Sequence, residues 1–331
     1  MYTFVSLFHR VIQGLAVLGT LCAVGCGPQF VVRVPETVAN ARRGPAVQVL
    51  PIRELRTNPQ LFSVGYAGFF QAKSEHEANS DTPPAKVLTQ ALSDELVQRG
   101  LNISNSPSMG FSIDCKMPLF QIRYRNYAGW FSSTDGWGYL DLFCRITSGG
   151  QVVFNGPIYA RHHRVFYHLD TLWEEVAGVL IQQVAAILNR QVFKVAASSA
   201  LLQRAASLLS SKDADERHNG AYLLGVTGDV RVIPMLLPHL QDSEAKVRRS
   251  VIDALGTLGA AEVLPILLSR YDQEDGNVQW ATLKTILQTG DPQGFAWLRA
   301  KAPAITADTL REIVTDVLEH DLSRKTIPRT Y

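Results

Sequence analysis

The chain has 331 residues, 46% of them hydrophobic and 9% aromatic, the make-up of a globular protein able to bury substantial cores. Its formal net charge is only +2, with 16 Lys/Arg against 13 Asp/Glu in residues 26–195 and 15 against 17 in residues 196–331. Neither part has the dense basic stripe of a nucleic-acid binder, so that class is excluded as the main function.

In chain order, Arg10 and His9 precede a mostly apolar run from Val11 to Val24, and the run closes on Ala23-Val24-Gly25-Cys26. This is the layout of a secretory leader, and it is too short to span a bilayer comfortably. Small residues directly before a cysteine resemble the lipobox of bacterial lipoproteins, although Ala23 replaces the leucine preferred there. The resemblance implies that residues 1–25 are removed and that Cys26 becomes a lipidated first residue carrying palmitate-type acyl chains. Two or three such chains hold a protein stably on a membrane. A plain cleaved secretory signal and an uncleaved anchor are the competing readings. Gly27, in place of Asp, resembles the pattern of lipoproteins sent to the outer membrane, which implies its periplasmic face rather than the inner membrane.

Residues 26–45 read as a tether, with Pro35, Asn40 and Arg42-Arg43-Gly44-Pro45. Ala46 to Ile52 has the pattern of a buried strand. Thr82 caps a predicted helix with Pro83 in its first position, and Gly100 ends it. Gly65-Tyr66-Ala67-Gly68 reads as a loop among Phe62, Phe69 and Phe70. Extended segments follow at Phe111–Arg125, Trp137–Thr147 and Gln151–Phe166, the last two joined by Ser148-Gly149-Gly150, a hairpin turn. Leu140, Leu142, Cys144 and Ile146 alternate, so one face of the sheet is buried. A long helix starts near Asp170 and Thr171, with Glu174 completing a capping box. Together, residues 46–195 predict an α+β domain: an antiparallel sheet with helices on one face. Folding the chain about the turn at Trp130 opposes positions whose numbers sum to about 259. Cys115 and Cys144 satisfy that sum, and a disulfide and a pair of free buried thiols both fit.

From about residue 199 the chain repeats at 31 residues. Gly228, Gly259 and Gly290 form one column; Leu236, Leu267 and Leu298 form another; Pro234 matches Pro265, and Arg217 matches Arg248. A strict period over helical pairs predicts an all-α solenoid over residues 196–331, in which stacking buries what no single pair can. Leu201–Leu209 would seal its front and a capping helix at Ala307–Glu319 its back. The glycine at the turn, the early proline of the second helix and Asp242-Ser243 before the next unit resemble the short HEAT-like repeats of phycobilisome lyases. The strand Val47–Pro51, the helix Ala85–Gly100 and the aromatic-rich sheet are similar to small envelope lipoproteins of the YajG type and to transporter-auxiliary lipoproteins.

Catalytic chemistry is missing from the motifs: there is no nucleophile elbow, zinc-protease motif or phosphate-cradling loop, and no cofactor is implied. His162, His163 and His168 read as an exposed strand edge, because they lack ligand partners at metal spacing. Glu174-Glu175 suit the positive end of a helix. Trp130 and Phe131, on a turn with Ser132 and Ser133, are candidates for contact with a partner. Arg217 and Arg248, in register on the first helices, are the candidate partner-binding residues of the solenoid. The reading is a non-catalytic scaffold that holds a protein partner at the membrane. The alternative is an accessory protein of an envelope transporter that binds lipid or another apolar molecule between sheet and helices, behind Phe62, Phe69 and Trp137.

Overall fold

A computed structural model describes residues 32, 44–69, 72–105, 110–126, 134–166 and 172–326. The sheet contains β1 (Ala46–Val49), β2 (Arg53–Glu54), β3 (Leu61–Phe69), β4 (Ala72–Asn79), β5 (Asn102–Ile103), β6 (Phe111–Asn126), β7 (Thr134–Ser148) and β8 (Gln151–Phe166). The long strand β6 organises it. Along one edge β6 takes β1, β2 and β3 in succession, all parallel, while β7 and then β8 continue antiparallel from the other edge. The sheet is therefore mixed: the expected antiparallel strands β6, β7 and β8 are present, and parallel partners on the other edge of β6 extend them. The Gly65–Gly68 stretch is likewise a strand: β3 pairs with β4 as a hairpin and with β6 from Ser63↔Ile122 to Ala67↔Asn126. Parallel partners lie far apart in sequence, so no local turn signal announces them.

The β6–β7 register begins at Phe111↔Ser148 and places Cys115 opposite Cys144. The two are buried, lie 4.1 Å apart at Cα and are joined by a disulfide. The register slips by one residue between Lys116 and Leu119, where Pro118 has no N–H to give the ladder. At the β7–β8 turn, Gly149 and Gly150 both take positive φ (55° and 81°), as a tight hairpin requires.

Two helices cover one face, α1 (Pro84–Gln98) and α2 (Leu172–Leu188). The first starts at Pro84, with Pro83 rather than Thr82 in the capping position and no side-chain cap. Leu88, Leu92, Met117, Ile122, Leu140, Val176, Leu180 and Val184 are fully enclosed between these helices and the sheet. Phe62 fills the far end of this layer, edge-on to Trp173 at 5.9 Å. The layer is thus occupied by the protein's own side chains. The segment Leu172–Phe193 is long and apolar enough to cross a membrane, yet 78% of its apolar window is buried within the protein, which makes it the core helix.

A π turn (Asn189–Phe193) prolongs α2, and Lys194 ends it in the left-handed region at φ 53°. Residues 194–198 lead directly into α3 (Ser199–Leu209). The repeats follow as first helices α4 (Ala214–Gly225), α6 (Ala245–Thr257) and α8 (Gly276–Thr289). Their second helices are α5 (Ile233–Leu236), α7 (Leu264–Arg270) and α9 (Pro292–Lys301), and α10 (Asp308–Thr326) closes the stack. The mixed-sheet part is therefore followed by a helical solenoid. Gly228, Gly259 and Gly290 have φ near 66–70°, which glycine supplies at the end of each first helix.

Candidate functional site

The second face of the sheet decides how the solenoid is presented. Along β7 and β8 the residues that alternate with the buried Leu140 and Ile158 are Trp137, Tyr139, Asp141, Tyr159, Arg161 and His163. All six sit on positions that a one-sided sheet would leave wet, yet Trp137, Tyr139 and Tyr159 are at most 5% exposed. They pack in one cluster with Leu264, Trp280, Ile286, Phe295, Ile313 and Val317 of the solenoid. Helices therefore cover both faces, and the expectation of helices on one face holds only for α1 and α2.

Arg161 is the electrostatic centre of this seam. Its guanidinium, wholly buried, donates to Asp141 at 2.7 Å and to both oxygens of Asp316 on α10 at 2.7 and 2.9 Å. His320 completes the group, 2.7 Å from Asp141. Burial by itself would raise the Asp141 pKa, but Arg161 and His320 outweigh it and hold the carboxylate below its usual range. Burial pulls His320 down, and the Asp141 hydrogen bond and charge more than reverse this, so its pKa is raised.

The exposed histidine edge is also corrected. His163 is 6% exposed, stacks on Trp137 with centroids 5.2 Å apart, and meets Trp280 at 5.5 Å. Burial lowers its pKa, and lowers that of His162 further. The backbone of this edge strand is covered as well. The Gln183 side-chain amide accepts the Arg161 N–H at 3.1 Å and donates to the Arg161 carbonyl at 3.0 Å, and Arg249 of α6 donates to the His163 carbonyl. Covering an edge strand removes a template for unwanted pairing. His168 lies outside the described residues. Among the described residues no group of three or more His, Cys, Asp or Glu side chains is placed to hold a metal.

The helix ends of the solenoid are capped from the sheet part. Arg99, paired with the buried Glu95 at 2.7 Å, donates to the Val226 and Thr227 carbonyls at the end of α4. Asn189 donates to the Thr227 carbonyl at 2.8 Å. Both supply donors to carbonyls that a helix end leaves unpaired. Gly228 lies so close to α2 that a Cβ would run into the Ala186 carbonyl.

The candidate partner-binding arginines have a different duty from the one expected. Arg217 is 14% exposed at the side chain and donates to Asp242 at 2.7 and 2.9 Å. Arg248, 16% exposed, donates to Glu274 at 2.6 Å and to the Asp242 carbonyl at 2.9 Å. Each arginine thus clamps its own repeat to the segment before the next, forming a ladder from Arg217 through Asp242 and Arg248 to Glu274. They are not free for docking. Register along the columns was legible, but the carboxylate that meets each guanidinium comes from 25 or 26 residues further on. Cys26, Trp130 and Phe131 lie outside the described residues.

With the first helices turned to the sheet, the second helices face outward. Ile266 on α7, and Val230 and Leu237 in the turns flanking α5, are 51%, 47% and 38% exposed. Ile266 shares its 31-residue column with Met235 and Trp297, both partly buried. Trp297 packs edge-on to Tyr271 at 5.0 Å.

Comparison with known proteins finds a match in the helical part. Residues 198–286 and 233–319 match the model for HEAT repeats. No curated protein matches the chain significantly. Among solved structures, a Xanthomonas campestris protein of the DUF330 family is 12% identical, with 48% of this chain and 91% of that one covered, at a TM-score of 0.34. An uncharacterised protein gives 16% identity, 48% and 95% coverage and a TM-score of 0.28. A minor lipoprotein from Acinetobacter baumannii gives 10% identity, 44% and 93% coverage and a TM-score of 0.24. HEAT repeats are protein-interaction modules, and it is these that the helical part matches.

Proposed function

We propose that this protein is a non-catalytic docking scaffold of the bacterial cell envelope, anchored by a lipidated Cys26 at the periplasmic face of the outer membrane. The observation that carries the scaffold reading is the match of residues 198–286 and 233–319 to HEAT repeats, on an array that packs against the sheet and leaves Leu237, Ile266 and Val230 exposed. A partner docking on this array would cover such exposed apolar side chains. The leader ending in Gly25-Cys26 supports the anchor. The filled layer around Phe62 favours docking over storage of an apolar ligand between sheet and helices.

The test compares membrane cross-linking of the wild type with Leu237→Glu and Ile266→Glu. Both positions are exposed, so the variants are expected to melt within about 0.5 kcal/mol of the wild type. A cross-linked partner seen with wild type is expected to fall at least roughly tenfold with the double variant, as loss of a central apolar contact implies. An unchanged cross-link would refute docking at these residues. Intact mass of the purified protein addresses the anchor: a chain starting at acylated Cys26 is expected, and an unmodified cysteine would refute that part alone.

A further inference from the structure

Five mostly buried arginines in this fold are matched to carboxylates: Arg56 to Glu54, Arg99 to Glu95, Arg161 to Asp141 and Asp316, Arg217 to Asp242, and Arg248 to Glu274. Arg190 is not. Its Nε is wholly enclosed without an acceptor, and burial lowers its pKa with no neighbouring carboxylate to oppose the shift. Among the described residues nothing forms an ion pair with it.

Its position is specified from both halves of the molecule. Arg190 stands in the π turn that prolongs α2, a distortion that re-aims side chains. It lies against Gly259 at the end of α6, where a Cβ would collide with the guanidinium. Beside it a cavity of about 220 Å³ opens between β8, the end of α2 and the end of α8. Arg190, Gln191, Gln288 and Thr289 provide its polar lining, with Ile158 and Tyr159 as the wall.

A guanidinium stays charged at any physiological pH, and the partly exposed Arg190 meets no counter-charge within the described residues. The carboxyl-terminal ends of α6 and α8 lend partial negative charge, which suits a cation but opposes a multiply charged anion. The same ends offer carbonyls to a donor on the ligand. A planar guanidinium fork matches a carboxylate in two parallel hydrogen bonds. We propose that this cavity binds a small organic monocarboxylate bearing a hydroxyl or amide donor, with its carboxylate on Arg190 and its donor at the Gln288–Gly290 end of α8.

The test follows the arginine Nε–H signals of the full chain by nuclear magnetic resonance during titration with L-lactate, propane-1,2-diol or inorganic phosphate. The Arg190 signal, identified by its loss in Arg190→Lys, is expected to move saturably with lactate and with neither other compound. Lactate is also expected to raise the melting temperature of the wild type and not of Arg190→Gln. Should Arg190→Gln fail to fold, Arg190→Lys carries the test: it keeps the charge but loses the fork, and lactate affinity is expected to fall roughly tenfold or more. A signal that ignores lactate overturns the proposal and leaves Arg190 as a hydrated cation. A response to phosphate as strong as that to lactate, or equal lactate affinity in Arg190→Lys, overturns the carboxylate assignment.

Discussion

Arg161, Asp141, Asp316 and His320 form a buried group in which each charge is answered, and its pH response follows from the signs. Because His320 has a raised pKa in the folded state, its contribution is complete below the unfolded value near 6.5 and is lost as pH rises through the folded pKa. His162 and His163 work in the opposite sense: burial lowers both, so their contribution is present above about 6.5 and lost on acidification. His320→Gln is therefore expected to cost about 1.5 kcal/mol at mildly acidic pH, the lower end for a hydrogen bond to a charged group. The difference from wild type should shrink as pH rises past the His320 transition, read as melting temperature against pH. A difference that stays constant over that range would mean that His320 does not change charge there. The arginine clamps carry a related lesson. Reversing charge at Arg217 or Arg248 would cut a link between repeats, so lost docking in such variants would report damage to the stack rather than a contact surface.

At the scale of elements, the glycine column serves two purposes at once. Gly228 needs its positive φ to end α4, and it also allows α4 to approach the α2 backbone at Ala186. Gly228→Ala combines a left-handed alanine, at about 1–2 kcal/mol, with a backbone collision that cannot relax by turning a side chain. Urea unfolding is expected to register a loss above about 2 kcal/mol. A loss nearer 1 kcal/mol would mean that the solenoid shifts off α2 without penalty. The β3–β4 hairpin makes the contrasting case, since its parallel register on β6 depends on partners more than fifty residues away. Its glycines and aromatics read locally as a loop, and only the open edge of β6 turns them into strand.

Over the whole molecule, the sheet and the solenoid share a core, capped helix ends and a covered edge strand, so they are expected to unfold together. Trp137 and Trp280 lie in that shared core, from opposite sides of the seam. Tryptophan fluorescence and far-ultraviolet circular dichroism should therefore trace coincident urea transitions. A fluorescence change preceding loss of helicity would show the halves parting before either unfolds. The seam also bears on the exposure of Ile266: Leu264 of the same helix packs in the shared core, while Ile266 points away from it.

The period of 31 residues, the alternation along β7 and the 115–144 register were legible from sequence, because each is a local or evenly spaced pattern written into neighbouring side chains. The carboxyl-terminal solenoid followed from those patterns alone. The second covered face had a signal too, in Trp137, Tyr139 and Tyr159 where a wet face would carry polar residues, but aromatic identity does not say what covers them. Pairing of Arg217, Arg248 and Arg161 with their carboxylates, and the lack of one at Arg190, arise only when segments distant in sequence meet. Charge compensation depends on distances of a few ångströms between such segments, and no one-dimensional pattern encodes those distances.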